Sequence, residues 1–374
     1  MACKVAEIVS LMEELAPPAY AEDWDNVGLQ VGSREREVEA VLVCLDVTIE
    51  VLAEAQEVGA GMLVCHHPLF LRPIRRLSGD DALGALLEET VRSGLSVYAA
   101  HTNLDASQEG VNVALAETLG LLHHRSLRGE PREGGFKLTT FLPPQDVGAV
   151  SEALFRAGAG VIGDYTGCSF RVEGTGTFTP GTRSRPAYGE IGKFNQVNEV
   201  RLELVVGKEA LQDVLDALME NHPYEEPAYD VYPLKLPAVG ELGRVGVLPR
   251  PMKIAELAEL CSSRLGNPAV RFTGDGDLAV SQVAVCGGSG ASLAPRAVEA
   301  GAQALVTGDV GYHQAAEALA GGLAIIDAGH YHTEWPVVSR LAGLLAKKAG
   351  GLGLEVEVHA SRIRTCPWRN GGNQ

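Results

Sequence analysis

The chain has 374 residues, of which 46% are apolar and 21% charged, enough for the cores of two or three domains and incompatible with wholesale disorder. With 31 Lys and Arg against 48 Asp and Glu, the formal charge of -17 opposes a broad electrostatic footprint on nucleic-acid phosphates. No apolar run approaches the roughly 20 residues of a bilayer span, the start MACKVAEIVSLMEEL has acids where a secretory leader has bases, and the seven cysteines are scattered and never spaced as CxxC, so a cytoplasmic protein with reduced thiols is expected.

Val5, Ile8, Val9, Met12 and Leu15 recur at helical spacing ahead of Pro17-Pro18, which predicts a helix over residues 4–16. The turn-rich stretch 23–26 leads to VEAVLVCLD (38–46), a β-branched run typical of strands buried on both faces, and then to a helix over 48–58. The beat repeats with GMLVCHHPLF (61–70), a helix over 80–93, GLSVYAAHTNLDA (94–106) and a helix over 110–119. It resumes with a helix over 252–264, SQVAVCGGSG (281–290), GAQALVTGD (301–309), GLAIIDAGH (322–330) and a last helix from about 333 to 348. Strands alternating with helices predict an α/β fold with a parallel sheet, and the two ends of the chain are expected to build one such sheet.

Between these stretches the pattern changes. FKLTTFL, a helix over 146–157, CSFRVEGTGTF, NEVRLELVV, a helix over 209–221 and AYDVYPLKL spell β-α-β-β-α-β, the α+β ferredoxin-like plan. Residues 131–238 therefore read as a domain inserted into a discontinuous α/β domain of residues 1–130 and 239–374, with GEPREGG and LPAVGELG as joints.

Ligands in open α/β sheets bind outside the carboxyl ends of the strands, and six of the ten histidines fall there. GMLVC is followed by His66 and His67, GLSVYAA by His101 and Asp105, ALVTGD by Asp309 and His313, and AIIDAG by His330, His332 and Glu334. Neutral imidazoles with carboxylates suit zinc, iron or manganese, whereas copper(I) or a cluster asks for a cysteine-rich set. His330 and Glu334, four apart, can share one side of a helix start. His66 and His67 point oppositely from an extended strand, so each can serve a different ion, with a carboxylate bridging the two. A lone strand-end histidine is more often a surface or capping residue; the coincidence of several carries the reading. His101, Asp309, His313 and His332 are candidates for a supporting or substrate-pocket role. Cys65 is expected in the core, and His123, His124 and His359 in solvent. CGGSG (286–290) follows a strand and offers backbone N–H groups to a phosphate, without the GxGxxG or GK[ST] context that would specify one. The loop 221–227 reads as a helix stop with a subunit contact.

DWDNVGLQVG (23–32), HHPLF (66–70), HTNLDA (101–106), CGGSG (286–290), TGDVGYH (307–313) and GHYHTE (329–334) together resemble the GTP cyclohydrolase 1 type 2 homologues, a family of dinuclear-metal proteins, over nearly the whole chain. The resemblance implies metal ligation by His66, His67, Asp105, His330 and Glu334, with Glu334 between two divalent ions per subunit. It also implies that NHPYEEPAYDVYPL (221–234) belongs to the inserted domain of longer members, and that the protein forms a toroidal homohexamer with the metal sites facing an internal cavity. The expected function is metal-dependent hydrolysis of a nucleotide or phosphoester, a small phosphorylated ligand rather than nucleic acid or membrane. The other reading is a non-catalytic metal-handling or regulatory protein with a ligand-gated cavity.

Overall fold

A computed structural model describes residues 3–127, 132–163, 165–236 and 242–369. The chain divides into two compact units, Met1–Gly129 with Val239–Gln374, and Glu130–Ala238.

The first unit contains a five-stranded sheet in the order Glu357–Ala360, Ala40–Cys44, Met62–Cys65, Ser96–Ala99, Gly28–Val31. Its first four strands are parallel and the last is antiparallel. Side-chain alternation divides the three central strands between two cores. Val41, Val43, Met62, Val64 and Tyr98 pack with the helices Val5–Leu15 and Pro336–Gly351, while Leu42, Cys44, Leu63, Cys65 and Val97 pack with Ile49–Glu57 and Ala82–Arg92. Burial on both faces is what made these runs continuous in the sequence, and Cys65 lies in the core as expected.

A six-stranded sheet follows the order Arg271–Phe272, Ala324–Asp327, Ala304–Thr307, Ala279–Val285, Arg244–Lys253, Leu122–Ser126. Only Ala279–Val285, Ala304–Thr307 and Ala324–Asp327 run parallel. The α/β class is therefore as read, but the single sheet is not. The two chain ends share both sheets, each through one edge strand: Glu357–Ala360 joins the early sheet beside Ala40–Cys44, and Leu122–Ser126 joins the late one beside Arg244–Lys253. Periodicity identifies a strand and its buried faces, not its hydrogen-bonding partner.

The second unit is a four-stranded antiparallel sheet in the order Tyr229–Leu236, Arg132–Leu142, Asn195–Val206, Phe170–Phe178. Leu138, Leu142, Leu202 and Leu204 form its core with Val150 and Leu154 of helix Val147–Arg156 and Val214 and Leu218 of helix Leu211–Asn221. His222 ends the latter helix as a satisfied structural residue: Nδ1 accepts the Tyr224 N–H at 3.1 Å and Nε2 reaches the Phe141 carbonyl at 3.2 Å. Among the described residues no helix is long and apolar enough to cross a membrane, and the seven cysteines are free thiols.

Candidate metal centre

The carboxyl ends of the two sheets in the first unit supply the polar residues. His66 and His67 follow Met62–Cys65. His101 and Asp105 follow Ser96–Ala99, Asp105 closing a short helix Thr102–Asp105. From the other sheet, Asp309 follows Ala304–Thr307, and the short helix His330–Glu334 follows Ala324–Asp327. Glu334, 3% exposed, sits among them. Its Oε1 is 3.1 Å from His330 Nε2 and 3.6 Å from His66 Nε2, and its Oε2 is 3.1 Å from His67 Nε2. Asp105 Oδ1 lies 3.7 Å from His66 Nε2. Three groups place one donor atom per residue within 4.8 Å of one another: His67, His330 and Glu334; His66, Asp105 and Glu334; and His66, His67 and His101.

The imidazoles are fixed from behind. His66 Nδ1 bonds the Ala100 carbonyl at 2.9 Å, a group that can only accept, so Nδ1 carries a proton and Nε2 is the nitrogen turned to the cluster. His67 Nδ1 meets Asp46 at 2.7 Å, His101 Nδ1 meets Asp25 at 2.9 Å and His330 Nδ1 meets Asp309 at 2.7 Å. Carboxylates and carbonyls behind the distal nitrogen are the usual support of metal-binding histidines, setting tautomer and orientation. Asp309 adopts φ 54°, a left-handed conformation rarely taken by a residue with a side chain, where it aims its carboxylate at His330.

The inward atoms test whether a cation fits. His66 Nε2 and Asp105 Oδ1 are buried with no hydrogen-bond partner among the described residues, and Glu334 Oε2, equally buried, has only the ion-pair contact with His67. An unsatisfied buried polar group costs about 1–3 kcal/mol, more when charged. A divalent ion would satisfy nitrogen and oxygen lone pairs together, whereas a hydrogen-bonding side chain satisfies one atom at a time.

The electrostatics agree. Burial pushes the Glu334 carboxyl up, but the His330 and His66 imidazoles outweigh it and hold it well below the usual range. Burial lifts Asp105. Burial also works against the charged form of His67, yet Asp46 and Glu334 raise its pKa to about 10; at His330 the Glu334 hydrogen bond leads, giving about 9. Protons on imidazole thus balance carboxylate charge that a cation would otherwise balance.

The cluster gathers His66, His67, His101, Asp105, His330 and Glu334, with Asp309 behind His330. His101 joins the inner ring, its centroid 5.3 Å from that of His66, 5.7 Å from that of His67 and 6.0 Å from that of Trp24, which meets it edge to face. His332 turns away: Nδ1 reaches the Leu265 carbonyl at 3.2 Å and Nε2 lies 3.9 Å from Cys366 Sγ. His313 is exposed beside Tyr312. The glycine run also departs from its reading as a bare phosphate cradle, since the N–H groups of Gly287, Gly288 and Gly290 donate to Asn112 Oδ1, Thr333 Oγ1 and Thr307 Oγ1. Its glycines serve close packing: a Cβ on Gly288, at φ +63°, would stand 2.4 Å from Glu334 Oε1.

Sequence reasoning missed Asp46, Asp25, Thr102 and Asn112. Asp46 directly follows an apolar run, the same signal that marked Asp105, and could have been found. Asp25 receives the Thr102 N–H at 3.0 Å as well as His101, and Asn112 donates to the Asp105 carbonyl at 2.8 Å while accepting Gly287. Neither contact leaves a trace in local periodicity.

Two layered sheets whose carboxyl ends meet at buried imidazoles and carboxylates define an α/β protein with a candidate metal centre. The chain belongs to the Duf34/NIF3 (NGG1p interacting factor 3) family, whose model matches residues 3–367. It is 39% identical to a GTP cyclohydrolase 1 type 2 homolog of Mycobacterium leprae, over 100% of this chain and 97% of the relative. A Bacillus subtilis protein of the same name is 40% identical over 87% of each chain. Among solved structures, a Bacillus cereus protein related to NIF3 is similar with a TM-score of 0.68 and 38% identity, covering 99% of this chain and 100% of that one.

Proposed function

We propose that this chain binds two divalent ions bridged by Glu334, one with His67 and His330, the other with His66 and Asp105, and that it uses them to hydrolyse a nucleotide or other phosphoester. The observation that carries the reading is the position of Glu334, whose two buried oxygens face imidazoles borne by different sheets. The nitrogen and oxygen donor set suits zinc, iron or manganese. When bound, such a pair supplies a nucleophile near neutral pH and a clamp for a developing oxyanion or phosphate. The chain's own residues do the positioning: Asp46, Asp309 and the Ala100 carbonyl hold the ligand imidazoles, and Asp25 holds His101 at the rim. The relatives' name, built on GTP cyclohydrolase, makes guanine nucleotides reasonable first substrates.

The same reading places the protein in the cytoplasm as a ring-shaped homohexamer. Seven free thiols support a reducing compartment, and symmetric closure is the common route to assemblies that enclose a site. The -17 charge supports a small ligand over nucleic acid. Metal content of the purified protein, followed by a hydrolysis panel of nucleotides and phosphoesters with Glu334→Gln as the control, tests the function. Metal-dependent turnover abolished by Glu334→Gln supports it; bound metal without turnover across the panel favours the metal-handling reading.

A further inference from the structure

The loop leaving His66 and His67 carries Arg72, Arg75 and Arg76 within five residues, in a chain with 48 acids and 31 bases. All three line a concave pocket of about 320 Å³, within the size range of small-molecule sites. Among the described residues, none of the three makes a hydrogen bond or ion pair. Acids close by in sequence are committed elsewhere. Asp81, which also lines the pocket, caps the helix Ala82–Arg92 by accepting Gly84 N–H at 2.8 Å. Asp80 accepts Ser78 Oγ at 2.7 Å, and Glu88 and Glu89 pair with Arg92.

We propose that this pocket is an anion site which anchors the phosphate of a phosphorylated ligand presented to the metal centre. The inference rests on the hydrolytic reading above and adds to it where the ligand is held. Guanidinium groups match phosphate oxygens with paired N–H donors, and exposed like charges crowded together repel one another until an anion sits among them. The remaining walls include Phe70, Pro73, Ile74 and Leu83, so the fitting ligand has a planar or apolar part beside its phosphate, as a nucleotide does. The loop is tied to the centre. Phe70 O accepts Asn26 Nδ2 at 2.7 Å and Gln30 Nε2 at 3.1 Å, and Leu69 N–H donates to Gln30 Oε1 at 2.7 Å. The same segment supplies Asp25 behind His101. Arg72 follows His67 by five residues, which keeps their Cα atoms within about 18 Å.

The test is calorimetric titration of the full chain, stripped of metal with a chelator, using inorganic pyrophosphate, adenosine 5′-monophosphate and adenosine. Stripping separates this site from the metal centre, so its outcome is independent of whether the dinuclear assignment holds. Pyrophosphate and the monophosphate should bind, more weakly as salt rises, and adenosine should bind far less. Arg72→Gln, Arg75→Gln and Arg76→Gln should each weaken phosphate binding roughly tenfold and the triple variant roughly a hundredfold or more. Metal content and oligomeric state should stay as in the parent. Equal affinity in parent and single variants overturns the proposal. So does a triple variant that keeps its anion affinity but dissociates, which would make the loop an interface between copies.

Discussion

Glu334 concentrates the chemistry of the site, since it lies among imidazoles from both sheets and its neighbours hold protons in place of a cation. His67, with a pKa raised from 6.5 to about 10, and His330, raised to about 9, are charged at neutral pH in the metal-free site. Groups with raised folded-state pKa values stabilise the fold fully below 6.5, and that contribution is lost as pH climbs through 9 to 10. The melting temperature of chelator-stripped protein should therefore fall between pH 7 and about pH 10, and a flat profile would contradict the charge state assigned to the two histidines. Metal ligands must be deprotonated, so loading the stripped protein at neutral pH should release about two protons per chain, read from the buffer dependence of the calorimetric heat. At Gly288, substitution by alanine adds about 1–2 kcal/mol of left-handed strain and forces Glu334 Oε1 away from the new Cβ. Gly288→Ala should lower the melting temperature and metal content together; unchanged metal content would show that the carboxylate tolerates the shift. Much of this site was legible in the sequence because its residues directly follow β runs. The supporting layer was less so, because Asp25 lies 76 residues from His101 and Asn112 lies 175 from Gly287.

At the scale of elements, the hydrophobic pattern located strands with a continuous or alternating apolar run and passed over those with neither. Arg244–Lys253 contains Pro249 and Pro251, which cannot donate to a ladder, and its pairing with Ala279–Val285 shifts register between Val247 and Met252 where they fall. Leu122–Ser126 is an edge strand of exposed and half-exposed residues with no apolar alternation to read. In the second unit the β-α-β-β-α-β order was readable because Leu138 and Leu142 of one middle strand and Val200, Leu202, Leu204 and Val206 of the other line one core, whereas Phe170–Phe178 is an edge strand of exposed and half-exposed residues marked by alternation alone. Its first and last strands are neighbours, with Arg132 opposite Leu236. Paired residues in such a ladder lie about 5 Å apart, so the segment enters and leaves at nearly one point. We propose that residues 131–238 fold as an independent domain. Joining residue 130 to residue 239 through a short Gly/Ser linker should give a soluble protein that keeps its metal, because every candidate ligand lies outside the excised segment. A folded product without metal would contradict that division.

For the whole molecule, the proposed hexameric ring makes assembly a condition of function, and light scattering at micromolar concentration should report about six chains per particle. A stable monomer would remove the enclosed cavity while leaving the metal centre to be judged by itself. That centre is tested most directly by elemental analysis of the purified parent, Glu334→Gln, Asp105→Asn and His123→Ala. The parent should hold about two divalent ions per chain. Glu334→Gln should lose about one, through a weakened bridge, and Asp105→Asn should lose chiefly the ion shared with His66. His123, exposed on the strand Leu122–Ser126, should leave occupancy unchanged on substitution. Equal metal content in all four proteins would contradict the dinuclear assignment and the hydrolytic function built on it.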